Sequence, residues 1–469
     1  MRIVDPATGA VIDEVDETAP EAVGGVVEAA TTARRSSGWG APAALADRLA
    51  VVERFGALVV ERREELARLL TCETGKPITQ ARNELAGVVP RVEFFLEATP
   101  RVLATETVLD DPGSGWREQI SYDPLGTVAN VSAWNYPWFV GVNVFVPALL
   151  TGNAVVYKPS EHATLTGLAI AGLWADAGLP DGLFSPVVGA GAAGEALVRA
   201  PVDGVFFTGS VATGRRIAEA VAGRMIPLQL ELGGKDPVYV ADDVDVVAAA
   251  ASLADGAFYN NGQSCCSVER IYVHDRIHDA FVDAFVDTVR GFRMGDPMDD
   301  ATYLGPLTRP AQAAVLEAQV ADALARGATL CCGGHRLGDR PGTWFEPTVL
   351  TGVDHTMAVM REESFGPVIG IQRVADDAEA LRLMADTDYG LTAGVYTADE
   401  GRARTLLESL EVGSAYWNCC DRVSPRLPWS GRRTSGTGVT LSTLGISTFV
   451  HPKAWHLRSP QPAPPPSTS

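Results

Sequence analysis

Residues 126–161 read GTVANVSAWNYPWFVGVNVFVPALLTGNAVVYKPSE, and from Pro124 to Tyr157 no side chain is charged. That length would cross a bilayer. Asn130, Asn135, Pro137, Asn143, Pro147, Gly152 and Asn153 interrupt it, however, and hydrocarbon offers no partners to the main-chain groups such breakers free. Two β-branched runs, TVANVSA and NAVVYK, flank an apolar segment from Val142 to Leu150. This predicts buried strand, helix and strand rather than a membrane span. The alternation continues through Ala163 to Ala177, FSPVVG, VFFTG with Val211 to Val221, and PLQLEL. Such αβ units imply a parallel sheet with helices on both faces, which binds nucleotides at its carboxyl edge.

Upstream, residues 18–100 are helical in pattern, with Leu45, Leu49, Val52, Phe55 and Val59 at spacings of three and four. After Gly233 a second αβ series begins, with helices over Asp275 to Arg290 and Arg309 to Arg326 and apolar runs WFEPTVL, PVIGIQRV, LTAGVYT and GSAYWNCC. Val102 to Tyr122 and Gly445 to Leu457 fit neither series. The proline-rich end, SPQPAPPPSTS, predicts disorder over 459–469.

With 469 residues, 46% of them hydrophobic, the chain can bury a large core. Its net charge of −20 opposes phosphate binding, so a small-molecule client is expected and nucleic acid is not. Cys72, Cys265, Cys266, Cys331, Cys332, Cys419 and Cys420 include three adjacent pairs and no CxxC. Neighbouring thiols rarely form good disulfides, and no Cys/His spacing suggests a metal. A reducing, cytoplasmic compartment is expected, since MRIVDPATGAV lacks the basic start and apolar run of a secretory signal.

Among possible nucleotide contacts, Val188-Gly-Ala-Gly-Ala-Ala-Gly194 carries the GxGxxG spacing. It sits on the third β-α unit rather than the first, which favours a tight turn with close helix packing, or a different contact with the cofactor through Gly189. Tyr157-Lys-Pro-Ser-Glu161 ends the second strand, where a Rossmann-type sheet reads the adenosine ribose. A carboxylate at Glu161 accepts bonds from ribose hydroxyls and repels a 2′-phosphate, which favours NAD with NADP as the alternative. Gly209 and Ser210 of FFTGS open a helix whose amides can face a pyrophosphate.

Trp134-Asn135-Tyr-Pro-Trp138, Glu231-Leu-Gly-Gly-Lys-Asp-Pro237 and Gly262-Gln-Ser-Cys265, with EESFGP at 362–367 and PWSGRRTSGTG at 428–438, together resemble the aldehyde dehydrogenase superfamily. The resemblance covers nearly the whole chain. It implies an α/β fold with a Rossmann-like cofactor-binding domain (1–101 and 123–233), an α/β catalytic domain (234–440) and a small β oligomerisation element (102–122 and 441–458). It also implies a homodimer or homotetramer that oxidises an aldehyde with NAD(P)+.

By the same resemblance Cys265 is the nucleophile, and Asn135 with the Cys265 amide holds the oxyanion. A hydride leaves to the nicotinamide, and Glu231 activates the water that hydrolyses the thioester. An ordinary thiol is only a few per cent ionised at neutral pH, so this nucleophile needs help from its surroundings. Lys158 and Glu161 are implied at the adenosine ribose, with Lys158 also in the catalytic set. Glu363 and Phe365 fall at the nicotinamide ribose and ring, and Trp134 and Ser210 near the pyrophosphate. Lys235 is a candidate proton relay.

Tyr136, Trp138, Ser264 and Cys266 are expected to line the substrate channel. The betaine-aldehyde subgroup has a tryptophan where this chain has Asn143, so a quaternary-ammonium cage is not expected. Asp421 could draw an amino group, and Arg422 or Arg426 a carboxylate. A semialdehyde or aminoaldehyde specialist is one alternative, and a cysteine esterase without redox activity another. None of the seven histidines lies in the shared motifs to activate Cys265 for the latter.

Overall fold

The structure, a computed structural model, describes residues 1–338 and 340–460. The expected disordered tail therefore lies, from residue 461 onward, outside the described residues.

The quoted stretch forms strand Thr127–Val131, helix Pro137–Leu150 and strand Ala154–Lys158. Both strands are buried at every residue, which is why they show no polar alternation. With Phe184–Pro186, Gly204–Thr208 and Leu228–Glu231 they make a parallel sheet. Across the sheet these strands run third, second, first, fourth, fifth, and the antiparallel Gly436–Thr437 follows the fifth. Strand order reverses beside the first strand, opening a crevice at the carboxyl ends. The expected helices of the first hundred residues include Leu45–Glu61 and Ile78–Val102, which pack on the sheet's helical layer. There Phe55 stacks on Trp174 at 3.9 Å.

The second sheet has seven strands in the order Thr329–Cys332, Thr348–Thr351, Val368–Val374, Arg270–His274, Pro237–Val240, Thr392–Tyr396 and Ser414–Trp417. Only its first pair is antiparallel. Alternate residues feed two cores: Val238, Ile271 and Ile369 on one face, Tyr239, Tyr272 and Val395 on the other.

A third, antiparallel sheet runs Val450–Arg458, Trp116–Pro124, Glu106–Asp111. Val108, Leu109, Trp116 and Trp455 are exposed on it. Just before this arm the chain packs against the first sheet. Leu441, Ile446 and Phe449 are buried in the first sheet's core, where Phe449 stacks on Phe206 at 4.3 Å. Gly436 and Thr437 pair with Glu231 and Leu230. The chain thus returns to the first sheet before entering the arm at Val450, because these apolar side chains find their partners there. Among the described residues, no helix is long and apolar enough to cross a membrane.

Candidate active site

Each of the five parallel strands delivers an expected site residue at its carboxyl end. Trp134 and Asn135 follow the first, Lys158 and Glu161 the second, Gly189 the third, Gly209 and Ser210 the fourth, and Glu231 closes the fifth. This is the edge that a nucleotide-binding sheet offers its ligand.

The segment bearing Cys265 links helix Val246–Phe258 to strand Arg270–His274 in the second sheet. Asn260, Asn261 and Gly262 have φ of 53°, 58° and 67° in succession. Asparagine tolerates that left-handed region. Gly262 is required there, since a Cβ would lie 2.5 Å from the Gly366 carbonyl oxygen. Buried side chains hold the bend: Asn260 Nδ2 donates to the Asn135 and Gln263 carbonyls at 3.2 and 3.1 Å, and Asn261 Nδ2 to those of Gly305 and Pro306 at 2.7 and 2.8 Å.

Asn135 is itself buried, and its Nδ2 donates to the Gln263 carbonyl at 3.1 Å. The two motifs are thereby locked together. An amide nitrogen carries two hydrogens, so one remains for a ligand.

Cys265 is partly exposed and Cys266 is buried. The Cys266 thiol donates to Asp421 Oδ1 at 3.0 Å, and Ser264 Oγ donates to the same oxygen at 3.3 Å. Hydrogen bonding with Cys265, then burial and the nearby Asp421 charge, push the Cys266 thiol well above its usual range. Burial lifts Asp421 to about 7. The Cys266 sulfur is thus kept protonated and covered.

Glu231 Oε1 accepts from Gln229 Nε2 at 2.8 Å and Thr440 Oγ1 at 3.3 Å, while the buried Oε2 has no partner. Burial pushes this carboxyl up to about 8 against its neighbours' hydrogen bonds. The chain just beyond it runs against the nucleophile loop: a Cβ on Gly234 would lie 2.9 Å from the Cys265 carbonyl oxygen.

Glu363 Oε1 accepts from the Gly234 amide at 3.1 Å, and burial raises it to about 8 as well. Glu269, which sequence reasoning passed over, ties the two loops together. Its carboxylate accepts from the Ser364 and Phe365 amides, each at 3.0 Å, and from Lys235 Nζ at 2.6 Å. Lys235, the expected proton relay, is fully buried and also donates to Ser364 Oγ at 3.0 Å. Phe365 is held at φ 45°, its ring edge-on to Trp134 at 5.6 Å.

A dinucleotide fits these groups. Lys158 Nζ and Glu161 Oε2 stand 3.4 Å apart, a donor and an acceptor suited to a ribose diol. Ser210 caps helix Val211–Val221 through the Thr213 amide at 3.3 Å, and that helix begins just past the carboxyl end of the fourth strand. Gly209 packs on the Phe207 ring. Gly189, at φ 146°, makes the turn into helix Gly191–Arg199. On that helix, a Cβ at Gly194 would touch the Lys158 side chain at 3.8 Å. The GxGxxG stretch is thus a close-packed turn against the Lys158 side chain.

Tyr136 lies at the start of helix Pro137–Leu150, stacked parallel to Phe139 at 5.9 Å. Trp138, expected as a channel wall, is fully buried in the apolar core, and helix periodicity gives the outward position to Phe139 instead. Lys76 Nζ sits 3.8 Å from the Tyr136 ring centroid, and the Arg91 guanidinium 3.7 Å from that of Phe139. Nothing in the helical pattern of the first hundred residues marks these cations, because their role depends on which helix they cross.

A Rossmann-ordered sheet facing a thiol-bearing loop defines a dinucleotide-linked oxidoreductase. The family model described as aldehyde dehydrogenase family matches residues 1–455, and the chain belongs to that family. It is 36% identical over 458 residues to a betaine aldehyde dehydrogenase of Cereibacter sphaeroides, covering 97% of this chain and 93% of that protein. It is 37% identical over 465 residues to a 3,6-anhydro-alpha-L-galactose dehydrogenase of Streptomyces coelicolor, covering 98% and 93%. Among solved structures, betaine aldehyde dehydrogenase from Staphylococcus aureus in complex with NAD+ superposes with a TM-score of 0.93 at 31% identity, covering 99% and 93%. The protein is an NAD(P)-dependent aldehyde dehydrogenase, and the redox-free esterase alternative is not favoured.

Proposed function

We propose that the protein oxidises its aldehyde hydrolytically, with Cys265 as nucleophile, Asn135 and the Cys265 amide as oxyanion donors, and Glu231 as the base for water. Bound NAD(P)+ supplies the hydride acceptor. The Cys265 thiolate bonds to the carbonyl carbon, and the second Asn135 Nδ2 hydrogen stabilises the charge that develops on oxygen. Once the adduct is a thioester, Glu231 takes a proton from water as the hydroxyl adds and Cys265 leaves. Trp134, Lys158, Glu161, Gly189, Gly209, Ser210, Glu363 and Phe365 hold the cofactor, and Glu161 favours NAD. Tyr136, Ser264 and Cys266 shape the substrate side.

The observation that carries this reading is the bond from Asn135 to Gln263, which ties the oxyanion donor to the nucleophile loop across two sheets. NADH formation with a panel of aldehydes, in wild type and Cys265→Ala, tests it: loss of activity is expected, and full activity in the variant would overturn it. Aminated aldehydes are a second reading, favoured by the substrates of relatives such as betaine aldehyde dehydrogenase. The division into cofactor, catalytic and arm units, with the boundaries drawn above, belongs to the same proposal. The exposed apolar side chains of the arm support assembly into a homodimer or homotetramer. Seven free cysteines support a cytoplasmic location.

A further inference from the structure

Arg91 lies in helix Ile78–Val102 and is 5% exposed. A buried guanidinium ordinarily has a carboxylate partner. Here Nη1 donates to the Gly87 carbonyl at 2.8 Å and Nε is buried with no partner at all. Its guanidinium carbon lies 3.7 Å from the Phe139 ring centroid, and Phe139 stacks on Tyr136, the residue next to Asn135. Burial lowers the Arg91 pKa, against the pull of the Glu84 carboxylate and, more weakly, the Cys266 sulfur.

Glu84 is the nearest acid to Arg91, but among the described residues no carboxylate hydrogen-bonds to its guanidinium. Lys76 pairs with Glu84, whose other oxygen accepts the Trp138 amide at 2.9 Å. Asp421 is taken up by Cys266 and Ser264, and burial favours its neutral form. Both aromatic rings of the row already carry one of the chain's own cations. With Glu84 shared between Lys76 and Arg91, one positive charge is left over here, and a cationic aldehyde would find both ring faces already taken.

Resting on the aldehyde dehydrogenase reading, we propose that Arg91 is a specificity residue whose free guanidinium edge binds an anionic group, a carboxylate above all, at the far end of a short aldehyde. A planar fork with unused donors matches a carboxylate better than an ammonium would.

The test compares kcat/KM for succinic semialdehyde, butanal and 4-aminobutanal, which share a four-carbon frame and differ in terminal charge. The wild type should prefer the carboxylate over the neutral aldehyde by about 10- to 100-fold, with the amino aldehyde poorest. Arg91→Met should abolish that preference, chiefly through KM, and Arg91→Lys should restore part of it. A wild type that prefers butanal or 4-aminobutanal needs no variant to overturn the proposal, and it leaves the dehydrogenase reading standing. An unchanged carboxylate-to-neutral ratio in Arg91→Met also overturns the proposal. Failure to form NADH with any aldehyde would overturn both.

Discussion

Glu231 links geometry to rate most directly. Its folded-state titration near 8, caused by burial, means the carboxyl is mostly protonated at neutral pH. About one tenth is ionised at pH 7 and about nine tenths at pH 9. A general base works only when ionised, so a steady state limited by thioester hydrolysis should rise about tenfold between those values. The direction follows from the sign of the shift: a raised acid gains its basic form as pH increases. Thr440→Val removes a donor that favours the charged form, so the midpoint should move to still higher pH. Stopped-flow absorbance separates the first NADH burst from the steady rate. Glu231→Gln should keep the burst, stall the steady rate and lose the pH rise. A steady rate that hydrolysis demonstrably limits, yet that stays flat across this range, would refute the role assigned to the buried carboxyl.

Other consequences are as direct. Asn135→Ala should lower kcat by about 100- to 1,000-fold through loss of one oxyanion donor, measured as NADH formation. Iodoacetamide should still label Cys265 in that variant. Lys235→Met leaves Glu269 as a buried charge with only main-chain donors, and should cost about 3–5 kcal/mol in denaturant melts. Glu161→Gln should raise the NADP-to-NAD ratio of kcat/KM by roughly tenfold, by removing a charge that repels a 2′-phosphate.

Much of this was legible in the residues. The two fully buried strands around helix Pro137–Leu150 announce themselves by an uncharged run with β-branched ends. The five strand ends could be matched to motifs because a parallel sheet gathers them at one edge. Three features were not legible, and each depends on contacts between distant segments. The return of Leu441, Ile446 and Phe449 to the first core is invisible locally, since short apolar runs do not say which sheet they join. Glu269 sits beside a buried strand, where charge carries no periodic signal, and its purpose appears only when the EESFGP loop meets it. Trp138 and Phe139 are adjacent aromatics, and only the helix phase decides that the first faces the core.

In the proposed mechanism Cys265, and not its neighbour, carries the acyl group between oxidation and hydrolysis. Glu231→Gln enzyme mixed with NAD+ and an aldehyde, quenched in acid, digested and read by tandem mass spectrometry, should carry the added acyl mass on Cys265. The same mass on Cys266, or on neither sulfur although a full burst of NADH has formed, would contradict the account.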